Sequence, residues 1–369
     1  MSKAAELAAL IANVNKGSSL GSKNFIINGS QNVSQRGTSF SFAHDGTTQA
    51  YTLDRFKFVM LNTDSLDGTV AQVSDGPSGT SFANSLKWTT GTAESAVASD
   101  EVMYAEQYIE AQNVAGLQYG TADAKPVTLS FWVKSSITGT FNSSLYQADG
   151  NRIMTKTYTI SLANTWEYKT LTFAGDTGGT INDDTGEGLR PVWNIFAGSG
   201  YTSTDRTSWG SYSGTAWAFG HAQNAHATTA GATFFLTGCQ LEIGEKATEF
   251  SHEPYSVTLE KAQRYYTKFQ ATSAYSYYGS GVSSATTTAR IFKSFPVEMN
   301  HVPVLEQSAN NTWNIYPGGA FTADATINNA SVWGSAITCT TGASQNANGA
   351  SHCTANNTTT AYFAFESEL

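Results

Sequence analysis

Charge is scarce in this sequence: Asp, Glu, Lys and Arg together make up 13% of 369 residues, about half the roughly 25% of an ordinary globular chain. Basic charge is scarcer still, with 20 Lys and Arg against 29 Asp and Glu and a net charge of −9. A nucleic-acid binder needs a basic stripe to displace counterions from phosphates, so nucleic acid is not an expected partner. Long apolar runs are also missing. No stretch approaches the ~20 residues that span a bilayer, and membrane insertion is not expected. Met1–Leu10 holds one lysine, Glu6 interrupts its apolar run, and no small-residue cleavage site follows, so the expectation is a chain folded in a cytosol. Cysteine is limited to Cys239, Cys339 and Cys353, an odd number without a CxxC spacing, which fits a reducing compartment. Cys339 and Cys353 could bridge; separate buried thiols are the reading preferred here.

Chemistry motifs are equally thin. There is no GxSxG, P-loop or dinucleotide fingerprint, and the Gly198-Ser-Gly200 pair has the wrong spacing. His221 and His226 stand five apart in His-Ala-Gln-Asn-Ala-His, whereas a helical zinc pair is spaced i,i+4 and needs further ligands. Glycosidic cleavage needs two facing carboxylates. The candidates Asp176, Asp183, Asp184 and Glu187 all fall in one Gly-rich loop, where solvated turn residues are the ordinary explanation. No catalytic residue, metal or cofactor is therefore expected, and the chain reads as non-enzymatic.

What is abundant is Gly, Ser, Thr and Asn, with 33 glycines and 12% aromatics. That composition suits short strands joined by many turns, and the 40% apolar content can still build a core. One helix is expected at the start, over residues 3–16. Ala4, Leu7, Ile11 and Val14 are spaced 3, 4 and 3 apart as in a coiled-coil seam, and Gly17 follows at the C′ position. Two heptads are marginal alone. The helix either packs on its own domain or, because the polar segment Gly17–Lys23 separates it from the body, self-associates or docks into another protein.

From Asn24 the period becomes two. Ser39–Phe42 alternates, and in Val127–Lys134 the residues Val127, Leu129, Phe131 and Val133 share one face, the pattern of a half-buried antiparallel strand. Trp166–Phe173 and Thr233–Ile243 read as further strands, the second apolar on both faces and hence central. Gly175–Leu189 and Gly198–Ala230 read as long loops of the kind that carry function. A short helix is expected over Thr258–Thr267, capped by Thr258 and burying Leu259, Ala262 and Tyr266. The domain junction is placed at 255–270, giving a helix and linker over 1–23, a body over 24–255 and a C-terminal β domain over 256–369.

Aromatic residues give the functional lead. Tyr201, Trp209, Tyr212 and Trp217 crowd one loop among Gly, Ser and Thr. Sugar rings stack on flat aromatic faces while hydroxyl and amide groups bond their hydroxyls; the same rings could instead pin the loop or fill an intersubunit contact. A second group, Tyr275, Tyr277, Tyr278, Trp313, Tyr316 and Trp333, lies distally. Tyr277, Trp313 and Tyr316 are taken from it as candidate glycan contacts.

Several segments carry a resemblance. Asn24-Phe-Ile-Ile-Asn-Gly29 looks like the opening strand of carbohydrate-binding-module-like jelly rolls. Phe234–Gly244 with Ala247-Thr-Glu-Phe250 looks like its closing partner. Ser130–Ser135, Trp166–Thr170, Phe173–Asp176 and the run from Glu253 to Tyr266 are similar to segments of bacteriophage tail-fibre and structural proteins. Phe295–Met299, Pro303 and Phe365–Leu369 resemble the distal domain of those proteins, and the N-terminal helix resembles their virion anchor. The resemblance implies a mainly β protein: a short N-terminal helix, a jelly-roll β-sandwich body and a smaller C-terminal β tip domain. It implies a homotrimer in the virion, made in the host bacterial cytoplasm, attached to other virion proteins through its helix and bound to host surface polysaccharide. A capsid-decorating or tail-connector protein is the structural alternative, and a glycan depolymerase the enzymatic one. Jelly rolls of this kind often hold a structural calcium; here Ser30 and Cys239-Gln240 stand at the equivalent positions, poor ligands for a hard cation.

Overall fold

Strands alternate inward apolar with outward residues through most of the chain, and the computed structural model, which describes residues 23–43, 46–343 and 345–369, assembles them into two sandwiches. In the body, a six-stranded sheet runs in the order Ser39–Phe42, Gly68–Val73, Ser85–Thr90, Thr233–Ile243, Val127–Ser135, Glu167–Phe173. Facing it, a larger sheet runs Gly210–Ser211, Arg152–Ile160, Gly139–Gln147, Glu187–Ala197, Val102–Glu106, Lys57–Thr63, Gly46–Tyr51, with Ile109–Glu110 pairing Glu187–Ala197. The described strand pairs of both sheets are antiparallel. This is the expected jelly-roll sandwich. Its core takes Phe131, Val133 and Leu236 from one sheet and Phe58, Met103, Phe141, Trp193 and Ile195 from the other. Thr233–Ile243 is interior to its sheet, as its two apolar faces required.

The C-terminal domain repeats the principle at smaller scale. A seven-stranded sheet (Gly319–Ala320, Trp313–Tyr316, Ala350–Ala355, Tyr277–Ala285, Thr288–Ser294, Gly334–Thr340, Thr326–Ser331) faces a three-stranded one (Tyr266–Gln270, Tyr362–Glu366, Val304–Gln307). Their separate core includes Tyr278, Ile291, Trp313, Ile337 and Phe363. The body's main core uses residues from Ile26 to Leu241 and this one from Ala271 to Phe365. Between them the helix Tyr255–Gln263 leads into the strand at Tyr266.

Several local expectations are corrected. The junction helix begins three residues earlier than Thr258, because Pro254 lacks an N–H and suits a helix start. Thr258 lies in its first turn, its N–H donating to Pro254 O at 3.2 Å, and Tyr266 belongs to a strand. Asn24–Gly29 is a run of bends and turns, not an opening strand. Asn28 is left-handed at φ +60, and the Asn24 amide takes over the pairing: Oδ1 accepts from Ile26 N and Leu241 N, and Nδ2 donates to Cys239 O. Val127–Ser135 is buried beyond its apolar face, since Thr128 and Ser130 are covered as well; Thr128 Oγ1 donates to Gly244 O. The segment 198–230 is not a free loop, being tied down by short helical turns at Ser199–Tyr201, Gly214–Ala216 and Ala225–Thr228. Gly175–Leu189 gives way to a strand at Glu187. The three cysteines are unbridged and buried, and burial raises the Cys339 thiol to about 12. Among the described residues no helix is long and apolar enough to cross a membrane. The expected helix with Ala4, Leu7, Ile11 and Val14 lies outside the described residues.

A charged network ties the two domains. Arg36 and Arg55 of the body meet Glu368, and their guanidinium planes lie 3.7 Å from the Tyr266 ring and 3.4 Å from the Tyr265 ring. In the other direction Arg264 grips Glu110 with Nε at 2.6 Å and Nη2 at 3.0 Å, and Tyr265 OH donates to the same carboxylate.

Candidate functional site

The period of two that fills the core also decorates the opposite face of the larger sheet. In Val102–Glu106, Met103 and Ala105 enter the core while Val102 and Tyr104 join a second cluster outside it. Lys57–Thr63 contributes Val59 and Leu61 to that outer face, Glu187–Ala197 contributes Val192, and Gly139–Gln147 contributes Tyr146. The segment 198–230 folds over one end, seating Ala216, Trp217 and Ala218 on the sheet. What stays open is a cleft of about 180 Å³ lined by Leu61, Val102, Tyr104, Tyr146, Arg190, Tyr201, Tyr212 and Trp217.

Five aromatic rings surround it. Trp217 is the hub, 5.2 Å from Tyr104, 5.9 Å from Tyr212 and 6.1 Å from Tyr146, and Tyr146 meets Tyr212 edge to face at 5.3 Å. Edge-to-face packing holds such rings at fixed angles. Trp217 is largely buried and Tyr212 is 37% exposed, so the indole is the wall and the phenol the rim. Tyr201 OH donates to Asp100 O, which fixes the lip.

Arg190 supplies the polar end. Its Nε and Nη2 donate to Glu187 at 2.7 and 2.6 Å, and Nη1 reaches Glu106 at 3.2 Å. The plane covers Tyr108 at 4.0 Å. Burial opposes the Arg190 cation, but the two carboxylates outweigh it and hold its pKa above the ordinary arginine value. Burial raises Glu106, opposed in part by Arg190 and Lys57, and burial lowers Lys57. The result is a fixed guanidinium fork beside a ring of aromatic faces, with Lys57 Nζ donating to the OH of the covered Tyr108 at 3.2 Å.

Three of the four loop aromatics singled out from the sequence, Tyr201, Tyr212 and Trp217, therefore meet in one cleft. Trp209 does not line it. Its indole packs on Tyr119 at 5.7 Å and donates to Ala174 O at 2.6 Å, pinning the loop to the body. The distal candidates divide. Trp313 is 1% exposed and stacks on Phe363 at 4.4 Å, so it is a core residue and not a ligand contact. Tyr277 and Tyr316 are exposed on either side of His352, with Tyr316 stacked on that imidazole at 5.2 Å. Sequence reasoning missed Tyr104, Tyr146 and Arg190. Their alternation with Met103, Leu145 and Leu189 was the available signal, obscured because both faces of these strands are largely apolar or covered.

The acidic loop residues have structural partners. Asp176 is buried against Arg152 Nε at 2.7 Å, Asp184 Oδ1 accepts from Gly186 N, Glu187 is held by Arg190, and Asp183 is exposed. Among the described residues no group of three His, Cys, Asp or Glu side chains is placed to hold a metal ion.

His221 and His226 are buried against Phe141. Each Nε2 has an acceptor, Gln223 O at 2.5 Å for His221 and Thr233 O at 3.3 Å for His226, with Ser135 Oγ at 3.0 Å from the latter. Burial lowers His221 to about 4 and His226 to about 3, since a proton on Nδ1 would be a buried donor without a partner. Below the ordinary 6.5 the unfolded chain binds protons that these folded rings refuse, so their contribution to stability falls as pH drops from there toward 4. Glu101 and Glu366, raised by burial to about 7, act in the opposite sense between that value and 4.5. Ring C–H resonances of His221 and His226 are expected to keep neutral shifts down to about pH 5. A midpoint near 6.5 for either ring would contradict its burial.

No family model and no curated protein matches the chain. Among solved structures it is similar to the enzymatically active domain of tailspike protein 4 of bacteriophage CBA120, with 14% identity over 60% of this chain and a TM-score of 0.32. The match spans 22% of that tailspike chain, about a fifth of its length. It is similar to the family 11 carbohydrate-binding module of a cellulosomal cellulase of Clostridium thermocellum, with 10% identity over 57% of this chain and 91% of that one, at a TM-score of 0.27. A third similar structure is the N-terminal CBM22-1-CBM22-2 tandem domain of Paenibacillus barcinonensis Xyn10C, with 9% identity over 95% and 98% of the two chains and a TM-score of 0.28. These values describe a distant likeness of shape.

Proposed function

We propose that this protein binds glycans in the aromatic cleft without cleaving them, and that it does so as a fibre or spike of a bacteriophage virion. The observation that carries the binding reading is the cleft itself: Tyr104, Tyr146, Tyr201, Tyr212 and Trp217 around the fixed fork of Arg190. A saccharide presents an apolar C–H face and a rim of hydroxyls. Ring faces of Tyr212 and Trp217 suit the first, and the phenols with the Arg190–Glu187 pair suit the second. The cleft has room for a single sugar ring with its substituents, so each site is weak and several copies on one particle supply avidity.

The non-enzymatic reading is supported by the carboxylates nearest the cleft. Glu106 and Glu187 are both committed to Arg190, whereas glycosidic hydrolysis needs one carboxyl free to give a proton and another free to attack or activate water. Homotrimeric assembly, attachment through Ala4, Leu7, Ile11 and Val14, and recognition of host surface polysaccharide are drawn from the sequence resemblance. On this reading the C-terminal domain forms the outer tip.

The test uses labelled full-length protein on a panel of bacterial strains, with polysaccharide extracted from each strain as competitor. Saturable binding abolished by the matching polysaccharide, and reduced roughly tenfold by Tyr212→Ala with unchanged thermal stability, is the expected result. Failure of a correctly oligomeric protein to bind any strain would favour a capsid-decorating or connector role. Release of shortened saccharide would overturn the non-enzymatic reading. Removal of residues 1–20 is expected to abolish both oligomerisation and incorporation into particles.

A further inference from the structure

The other sheet of the sandwich carries a groove that the cleft reading does not use. It is larger, about 600 Å³, and lies on the outer face of the six-stranded sheet. That face is otherwise rich in hydroxyls, with Thr128, Ser130, Thr170 and Thr172 at neighbouring positions. Trp132 and Tyr168 interrupt it as a directly paired cross-strand couple, their ring centroids 5.3 Å apart, and Tyr168 is 44% exposed. Thr128 and Ser130 are covered, but Tyr168 stays open to water, and two large aromatics side by side at the open part of an outer sheet face need a reason beyond folding.

The opposite wall is also aromatic. Phe82, Phe250 and His252 pack mutually at 4.8–5.2 Å. The two walls close on Gly238, which sits in the bulge between Thr237 and Gln240 with φ +62. A Cβ there would stand 2.9 Å from Phe82 and 3.0 Å from Trp132. Only glycine accepts both the backbone angle and the approach of the rings. Polar groups stand among them: Ser81 Oγ and His252 Nε2 share a 2.6 Å hydrogen bond, and Ser130 and Thr248 also line the groove.

We infer that this groove is a second carbohydrate site, taking a neutral hexose or pentose unit of a polysaccharide on the Trp132–Tyr168 platform, with its hydroxyls toward Ser81, His252 and Thr248. Flat rings beside hydroxyl and imidazole groups match a sugar's two kinds of surface. Charge selects a neutral ligand: no Lys or Arg among the described residues lines the groove, nearby Lys134 is paired with Asp75, and the chain is acidic overall. The site shares no lining residue with the cleft. One body would then engage a glycan from both sheets, raising avidity without oligomerisation.

The test is fluorine NMR on full-length protein labelled with 5-fluorotryptophan, with the Trp132 and Trp217 signals assigned through Trp132→Phe and Trp217→Phe. The probes are gluco-, galacto-, manno- and xylo-oligosaccharides. A saturable shift of the Trp132 signal by at least one of them, weakened roughly tenfold in Tyr168→Ala, is the expected result. A Trp132 signal that no saccharide moves overturns the second site; if Trp217 responds in the same titrations, the cleft reading stands without it, and if neither responds both fall. A Trp132 shift unaffected by Tyr168→Ala would mean that the change is transmitted from elsewhere, and would also overturn the proposal.

Discussion

Replacing Glu368 by alanine is expected to cost about 3–5 kcal/mol of stability, because it removes the shared counter-ion of two buried arginines. The Arg55 side chain is 1% exposed and that of Arg36 is 8% exposed, and both are paired with a Glu368 side chain that is only 3% exposed. Tyr265 and Tyr266 cover the guanidinium planes, so water cannot replace the lost carboxylate without opening the domain junction. Glu366, the other acid near Arg36 at 3.4 Å, is a poor substitute. Burial and the neighbouring Glu306 raise its pKa to about 7, so it carries only part of a charge at neutral pH. Loss of one partner is costly where exchange of both for apolar residues is not. Glu368→Ala should therefore shift urea unfolding by roughly 1–3 M, while Arg55→Met combined with Glu368→Met should recover part of the loss. A change below about 1 kcal/mol would mark the pair as a solvent-screened surface bridge and contradict this account of the junction.

Trp313→Ala is expected to be of similar size, about 3–5 kcal/mol, and to act on the C-terminal domain. The indole is 1% exposed, lies parallel to Phe363 at 4.4 Å and meets Tyr278 at 5.4 Å. Its removal leaves a cavity that strands paired on both sides cannot fill. Glycan binding at the cleft should survive wherever the body remains folded, since no cleft residue belongs to this domain. Tyr316→Ala, three positions beyond Trp313 and on the opposite face of the same strand, serves as the contrast: 43% exposed, it should change stability by about 0.5 kcal/mol or less. Equal losses from both substitutions, measured by thermal unfolding, would contradict the assignment of Trp313 to the core.

Much of the fold was legible because strands announce themselves by a period of two. Val127–Lys134 shows it plainly, and the doubly apolar Thr233–Ile243 pointed to a central strand. The site was legible only in its loop half. Tyr201, Tyr212 and Trp217 stood out among small polar residues, but the same reasoning swept in Trp209, whose partner Ala174 O lies in another loop. Tyr104, Tyr146 and Arg190 stayed hidden because their strands carry apolar or covered residues on both faces, so periodicity could not say which face was open. Trp313 misled for the converse reason: an aromatic flanked by Asn and Thr looks exposed until the pairing of its strand with Ala350–Ala355 turns it inward. Arg36, Arg55 and Glu368 stand far apart in the chain, and nothing local connects them. Asn24–Gly29 resembled the opening strand of a jelly roll, whereas the side-chain amides of Asn24 and Asn28 bend it into turns.

Chemical-shift mapping on protein labelled at tyrosine and tryptophan, titrated with a soluble fragment of whichever surface polysaccharide binds, addresses the central claim most directly. The account predicts that the largest perturbations fall on Tyr104, Tyr146, Tyr201, Tyr212 and Trp217. Perturbations confined to Tyr277 and Tyr316, with those five unmoved, would contradict it and move glycan recognition from the sandwich face to the tip.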